Sequence, residues 1–362
     1  MKIKNIFFAA ILVLAGFSCS MEDDAIMNDV EKGIEEATEA YTVLDFGVAF
    51  NEMATKASTT VVPGEDRPAT GDENNDEKKI SEVSVFLLED GKVIGILIPQ
   101  NMNQVSSNSD GSITLKDLKF VTKYKTNRTL EAHVVINGNQ FLKNINIGDA
   151  QSALNQQISG CLSADQLIKY GSTRIVFGKD ITNSYSSPSV AENNPTTILV
   201  KVSHVAARLD FSQFDVTLKG FEGDLTVVFD EAKFVNLQQN GKIVEGDASV
   251  NVKDGAFLNR SNRIGTKWTD MGTAYGYANQ YKQDSEMNTA LYVKFTVDGR
   301  TFEKTYPINP AGITKEVDHN GIKGGYLYDI KVRWTITPDW GDSTIEFYTR
   351  DWVHNSIPEI VL

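Results

Sequence analysis

From Tyr326 to Ile336 the chain alternates without a break. Tyr326, Tyr328, Ile330, Val332, Trp334 and Ile336 share one parity, and Asp329, Lys331, Arg333 and Thr335 share the other. A period of two held over that length is incompatible with a helix and predicts a long strand with one buried face. The pattern recurs along the chain, at Val83, Val85 and Leu87, at Leu130 to Ile136, and at Leu291 to Val297. Asp90-Gly91 and Asp298-Gly299 each separate two such runs, which is the signature of a tight hairpin. Ile198, Val200 and Val202 alternate on one parity and Val205, Ala207, Leu209 and Phe211 on the other, so a bulge or bend is expected near His204.

Helical signals are few. Asp149 is placed to cap a helix carrying Ala150, Leu154 and Ile158; Ser163 and Gln166 match a capping box that Gly171 would end. Thr182 to Pro195 reads as a connection, and Gly255 to Gln283, rich in Gly, Asn and Tyr, as an irregular excursion. The expected fold is mainly β: two tandem β-sandwich (transthyretin-like) domains with a few short helices, at 80–197 and 198–362. A chain of 362 residues with 41% hydrophobic content suffices for two such cores.

One strand-like stretch lies apart from these blocks. In Tyr41 to Lys56 the large apolar residues Leu44, Phe46, Val48 and Phe50 share a parity, opposite Asp45, Gly47, Ala49 and Asn51. The following stretch is mostly Thr, Pro, Gly, Asp, Glu and Asn, so 57–79 reads as a solvated tether. Lys56 and Arg67 offer basic sites for a protease there. The stretch is either an ordinary first strand with a long loop or a removable strand.

The N-terminus sets the compartment. Lys2 and Lys4 precede a short apolar run, Ile6 to Leu14, which is too short to span a bilayer and reads as a secretory signal over 1–18. Cys19 closes it in the position of a lipidation site, although Gly16 and Phe17 depart from the usual lipobox. If the first strand is removable, residues 19–56 are a lipidated propeptide; Met21-Glu22-Asp23-Asp24 is either a surface-export signal or a solvated linker. If Cys19 is acylated, Cys161 has no partner for a disulfide. The net charge of −13 argues against nucleic acid as a partner.

Chemistry is sparse. The four histidines, His133, His204, His319 and His354, are scattered and lack metal-ligand spacing. No nucleophile elbow, P-loop or dinucleotide fingerprint occurs. A non-enzymatic chain without metal or cofactor is expected. Asp72 to Asp76 reads as tether rather than a calcium loop, and Cys161 as a small hydrophobe. Tyr275, Tyr277 and Tyr281 with Trp268 form either a glycan-stacking surface or, more commonly for such loops, internal packing.

Several segments together resemble a family. Thr55-Lys56-Ala57 after the first strand, the restart at Lys79-Ile80 into Val83 to Phe86, and His133 to Asn137 look like the fimbrillins, the type V pilins of Bacteroidales. Lys201 to Leu209, Tyr328 to Val332 and the late Trp352 add to the likeness. The resemblance implies a fimbrial subunit carried to the outer membrane as a lipoprotein, lipidated at Cys19. A surface trypsin-like protease would cut between Lys56 and Ala57, or less readily after Arg67, which precedes Pro68; the family usually has Arg at the cut. The strand bearing Leu44, Phe46, Val48 and Phe50 would leave, and a donor strand from another subunit would replace it. Ser343 to Leu362, with Ile345, Phe347, Tyr348 and Trp352, is the candidate donor. Partners would be further subunits head to tail, the protease, membrane lipid before processing, and an adhesion target. The alternative is a non-polymerising surface lipoprotein, either a fimbrial anchor or a binder of glycans or host proteins.

Overall fold

The computed structural model describes residues 39–50, 75–99, 105–107, 113–244, 246, 248–255, 263–309, 320–339 and 342–351. Strands dominate because β-branched and aromatic residues recur at period two between turn residues. The first half supplies β1 (Tyr41–Phe50), β2 (Val83–Glu89), β3 (Lys92–Leu97), β4 (Val105–Ser107), β5 (Ile113–Lys123), β6 (Thr129–Ile136), β7 (Gln157–Ser159), β8 (Lys169–Val176) and β9 (Thr196–His204). All but β7 join one eight-stranded sheet in the order β3-β2-β6-β8-β9-β1-β5-β4. The sheet curls until its two ends meet: a Cβ on Gly95 of β3 would lie 2.8 Å from the Phe120 ring of β5. Arg128 ties the rim, with Nε and Nη2 donating to Glu89 at 2.7 and 2.8 Å and Nη1 donating to Thr122 Oγ1 at 2.6 Å.

The second half follows after only two residues. It comprises β10 (Ala207–Leu218), β11 (Val227–Val235), β12 (Leu237–Gln238), β13 (Asn240–Lys242), β14 (Val252–Lys253), β15 (Arg263–Ile264), β16 (Lys267–Gly276), β17 (Ala290–Val297), β18 (Arg300–Pro307), β19 (Tyr326–Ile336) and β20 (Asp342–Asp351). Two four-stranded sheets, β16-β10-β19-β20 and β15-β11-β17-β18, enclose a core rich in aromatic rings. Phe214 is its hub, with ring centroids 5.3 Å from Trp268, 5.3 Å from Phe295 and 5.4 Å from Phe229.

Three apolar clusters fill the unit formed by residues 39–362. One lies inside the first sheet and one between the two later sheets. The third covers the outer face of the first sheet with Leu142, Leu154, Ile158 and Leu167, and it also takes in Ile243, Tyr277 and Leu327 from the second half. This third cluster is why β2 is buried on both faces: Val83, Val85 and Leu87 face the first core, while Phe86 and Leu88 face the third.

The long alternating run forms β19 as expected, with Tyr328, Ile330, Val332, Trp334 and Ile336 buried. Both Asp-Gly pairs make hairpins with positive φ at both residues, 49° and 71° at Asp90-Gly91 and 47° and 83° at Asp298-Gly299. That combination is the type I′ turn, whose twist matches the strands it joins.

Four expectations are corrected. The block expected to open at 198 does not, because β9 pairs with β1 and β8 in the first sheet. The parity switch near His204 is the expected bend, where the chain leaves that sheet; a separate bulge lies at Ser212, between Phe211 and Gln213. The helix expected from Asp149 shrinks to a 3-10 turn at Gln151–Leu154 followed by β7, and the capping-box segment to a 3-10 turn at Ala164–Gln166, with Gly171 inside β8. The excursion expected at 255–283 contains the ten-residue strand β16, paired with β10. Two four- and five-residue helices, α1 (Asn139–Leu142) and α2 (Pro188–Glu192), complete the described elements, and α2 falls in the segment expected to be a plain connection.

Candidate strand-exchange groove and its buried clamp

β1 is an interior strand. It runs parallel to β9 in unbroken register from Leu44↔Thr196 to Phe50↔Val202 and antiparallel to β5 on its other side. The β5 side is interrupted: Leu44 faces Phe120, but Phe46 faces Leu115, so β5 bulges between them. Asp45 sits at the break, and its Oδ1 accepts the Phe46 N–H at 3.1 Å.

The large side chains point into the first core. Leu44, Phe46 and Val48 are each 0% exposed. Val43 and Thr42 are buried as well, and α2 lies against β1 and β5. The α2 N-terminus follows directly from sequence: Ser187 accepts the Val190 N–H through Oγ at 3.4 Å, and Pro188 opens the first turn. The entry to β1 is held by a two-way backbone pair between Tyr41 and Tyr185, both at 2.8 Å, and by an exposed Glu39–Lys123 ion pair.

β1 therefore joins β5 to β9, and the only covalent route from its C-terminal end to β2 runs through 51–74 and the turn at Asn75–Lys78. Lys56, Ala57 and Arg67 lie in 51–74, outside the described residues, as do Cys19 and Trp352; Phe50 is placed in β1 by its backbone alone. The described part of the candidate donor segment, 343–351, is in place in its own chain. Ile345, Phe347 and Tyr348 belong to β20, which among the described residues pairs with β19 alone, from Tyr326↔Asp351 to Thr335↔Asp342.

The end of the expected tether is not solvated. Asn75–Lys78 is a 3-10 turn, and Glu77 is 0% exposed. Arg208, at the start of β10, donates from Nη1 to Glu77 at 3.1 Å and from Nε to Asp210 at 2.9 Å. The Tyr275 hydroxyl of β16 also donates to Glu77. Burial works against the Arg208 charge, but Asp210 and Glu77 more than offset it and raise its pKa. Burial, then Glu77, pushes the Tyr275 hydroxyl up, so it stays a donor. Breaking a buried ion pair leaves an uncompensated charge, so this clamp holds the restart of the first half against the first strand of the second. Sequence reasoning missed it because Glu77 ends an acidic stretch and its partner lies 131 residues away.

The remaining candidates resolve into packing. Tyr277 and Trp268 are buried, and the Tyr277 hydroxyl donates to Gly160 O at 2.7 Å. His133 bonds Tyr170 at 2.7 Å and Glu131 at 3.4 Å, and burial lowers its pKa. Cys161 is half-buried, accepts from Gln140, and is pushed up by burial, the opposite of an activated thiolate. Among the described residues no three His, Cys, Asp or Glu converge as metal ligands. Among the same residues no helix is long and apolar enough to cross a membrane.

No family model matches the sequence. No curated protein matches it either. Solved structures do. A candidate cell adhesion protein from Parabacteroides distasonis superposes with a TM-score of 0.58 at 18% identity, covering 88% of this chain and 99% of that one. A second from the same organism gives 0.51 at 12% identity, covering 87% and 99%. A fimbrilin from Porphyromonas gingivalis gives 0.46 at 14% identity, covering 86% and 98%. The chain has the mainly-β sandwich fold of the two Parabacteroides proteins, which is the fold that the resemblance to the fimbrillins implies.

Proposed function

We propose that this chain is a non-enzymatic structural subunit of a cell-surface fimbria. In this reading it reaches the outer membrane as a lipoprotein held through Cys19. It then polymerises by strand exchange after a trypsin-like protease cuts in 51–74, at Lys56-Ala57 or after Arg67, and so supports adhesion. The observation that carries the reading is the place of β1: buried, interior, and joined to β2 through a segment that contains both basic residues. Leu44, Phe46 and Val48 together contribute roughly 5–9 kcal/mol of gross burial, so an emptied groove strongly favours refilling. Two open sheet edges, β5 and β9, would add to that drive. β20, an edge strand paired with β19, is the described part of the proposed donor, and head-to-tail capture gives an open fibre. The cell adhesion proteins that share the fold support the same role.

Limited trypsin treatment of the purified chain tests this. The expected result is loss of the N-terminal segment through Lys56 or Arg67 and conversion of monomer to a ladder of oligomers. A chain lacking 343–362 should be cut and stay monomeric. Cleavage without oligomers from the full chain overturns the strand-exchange reading. A second reading is favoured by Lys56 in place of Arg and by Pro68 after Arg67: a non-polymerising surface lipoprotein, either a fimbrial anchor or a binder of glycans or host proteins. It predicts that the surface form retains Cys19.

A further inference from the structure

Beside the clamp lies a second buried group, the amine of Lys169, 0% exposed at the start of β8. It donates to the backbone carbonyls of Lys79 at 3.2 Å and Leu167 at 3.3 Å. The carboxamide nitrogen of Asn137 donates to the same two carbonyls, at 2.9 and 3.2 Å. Two nitrogens from adjacent strands thus share one pair of acceptors; the strands pair directly, Ile136 facing Lys169. The Asn137 carbonyl is polarised from its other side. Its Oδ1 accepts the Ser81 N–H at 2.9 Å, the Ser81 hydroxyl at 3.0 Å and the Glu82 N–H at 3.4 Å.

Burial holds the Lys169 amine down at about 7, with Glu77 opposing, so much of it is neutral near neutral pH. A neutral amine has two N–H groups, both taken up here by the two carbonyls, and one lone pair left over. A desolvated lysine is a nucleophile, and donors aimed at a carbonyl oxygen stabilise the oxyanion that forms when it is attacked.

We infer that Lys169 and Asn137 are placed to form an intramolecular amide cross-link. Nζ of Lys169 attacks Cγ of Asn137, the Nζ–Cγ bond forms, and the Cγ–Nδ2 bond breaks. One proton passes from Nζ to the departing nitrogen, which leaves as ammonia. Nothing is oxidised or reduced, and no co-reactant is needed. Ser81 N–H, Ser81 Oγ–H and Glu82 N–H hold the tetrahedral oxygen, and the single N–H of the new amide keeps one of the two carbonyl acceptors. The link would join β6 to β8 and close the whole excursion from 138 to 168, which packs over the outer face of the first sheet.

Mass spectrometry of the purified chain decides this. The expected intact mass is short by one ammonia, about 17 Da, and a digest yields one branched peptide joining the Asn137 and Lys169 segments. Lys169→Arg, which lacks the primary amine, should show the full mass, as should Asn137→Ala. A wild-type chain at full mass overturns the inference. So does an ammonia loss confined to a linear peptide, because Asn137-Gly138 can also lose ammonia by attack of its own backbone. Hydroxylamine cleaves that cyclic imide and leaves the lysine link intact, so the two losses are distinguishable.

Discussion

β1 and β10 occupy the same place in the two halves of the molecule. Each is the first strand of its half, each lies parallel to a late strand (β9 and β19) and antiparallel to a middle one (β5 and β16), and each has a register break partway along. They differ in how the chain holds them. β10 follows β9 after only Val205 and Ala206, so it is pinned from one half to the next. β1 reaches β2 only through 51–74 and the Asn75–Lys78 turn. The cores differ too. Around β10 the aromatic rings of Phe211, Phe214, Phe229, Trp268 and Phe295 interlock, whereas β1 inserts into mostly aliphatic neighbours such as Val85, Leu130, Ile175 and Val200. A position in a sheet does not by itself make a strand exchangeable. The proposed exchange of β1 rather than β10 rests on its covalent leash and on a wall of adaptable aliphatic side chains rather than keyed rings.

The comparison can be broken at several levels. The largest effects come from the two buried phenylalanines: Phe46→Ala and Phe214→Ala should each cost about 3–5 kcal/mol, read by chemical denaturation. Hydrogen exchange should place the Phe46 loss in β1, β5 and β9 only, and the Phe214 loss in the second half. Equal loosening of both halves by Phe46→Ala would show that β1 is no more separable than β10.

Acid should separate the halves further. Burial lowers the His133 pKa below its ordinary value, with Glu131 opposing. A depressed histidine contributes stability that is present above the unfolded value near 6.5 and is lost as pH falls through the lower folded value. Exchange protection in β2, β6 and β8 should therefore fall on acidification below about 6.5 before that of β17 and β18. His133→Gln should flatten the difference; an unchanged difference would assign the acid response to other groups.

The smallest effect should be the same on both sides. Gly91→Ala and Gly299→Ala each place a Cβ in open space at positive φ, so only backbone strain is added. Each should cost about 1 kcal/mol, seen as a small drop in the denaturation midpoint. A much larger cost at one turn would mean that its hairpin does more than connect.

What was legible in the sequence was local. The Tyr326 to Ile336 alternation, the two Asp-Gly turns and the amphipathic Tyr41 to Phe50 segment each carry their signal within a dozen residues. What was not legible depended on distant partners. The second buried face of β2 exists only because Ile243, Tyr277 and Leu327 arrive with the rest of the third cluster. β16 hid in a Gly- and Tyr-rich stretch because Gly272 and Gly276 weaken its apolar pattern, and its pairing with β10 supplies what local propensity lacks. Glu77 looked like the last of a run of solvated acids, and distant partners, Arg208 and Tyr275 among them, make its burial tolerable. The same holds for Asn137 and Lys169, which meet because β6 and β8 are neighbours.

The two-sided pairing of β1 also has a mechanical meaning. Tension applied along a strand that is bonded on both flanks loads its cross-strand bonds together, in shear, rather than peeling them one at a time from an end. β20, bonded on one flank only, lacks the second row of bonds that would share such a load. A strand in the β1 position is held by two rows of bonds, as β10 is, so a pull along it must break both rows together, which suits the position to bearing load as well as to closing a core.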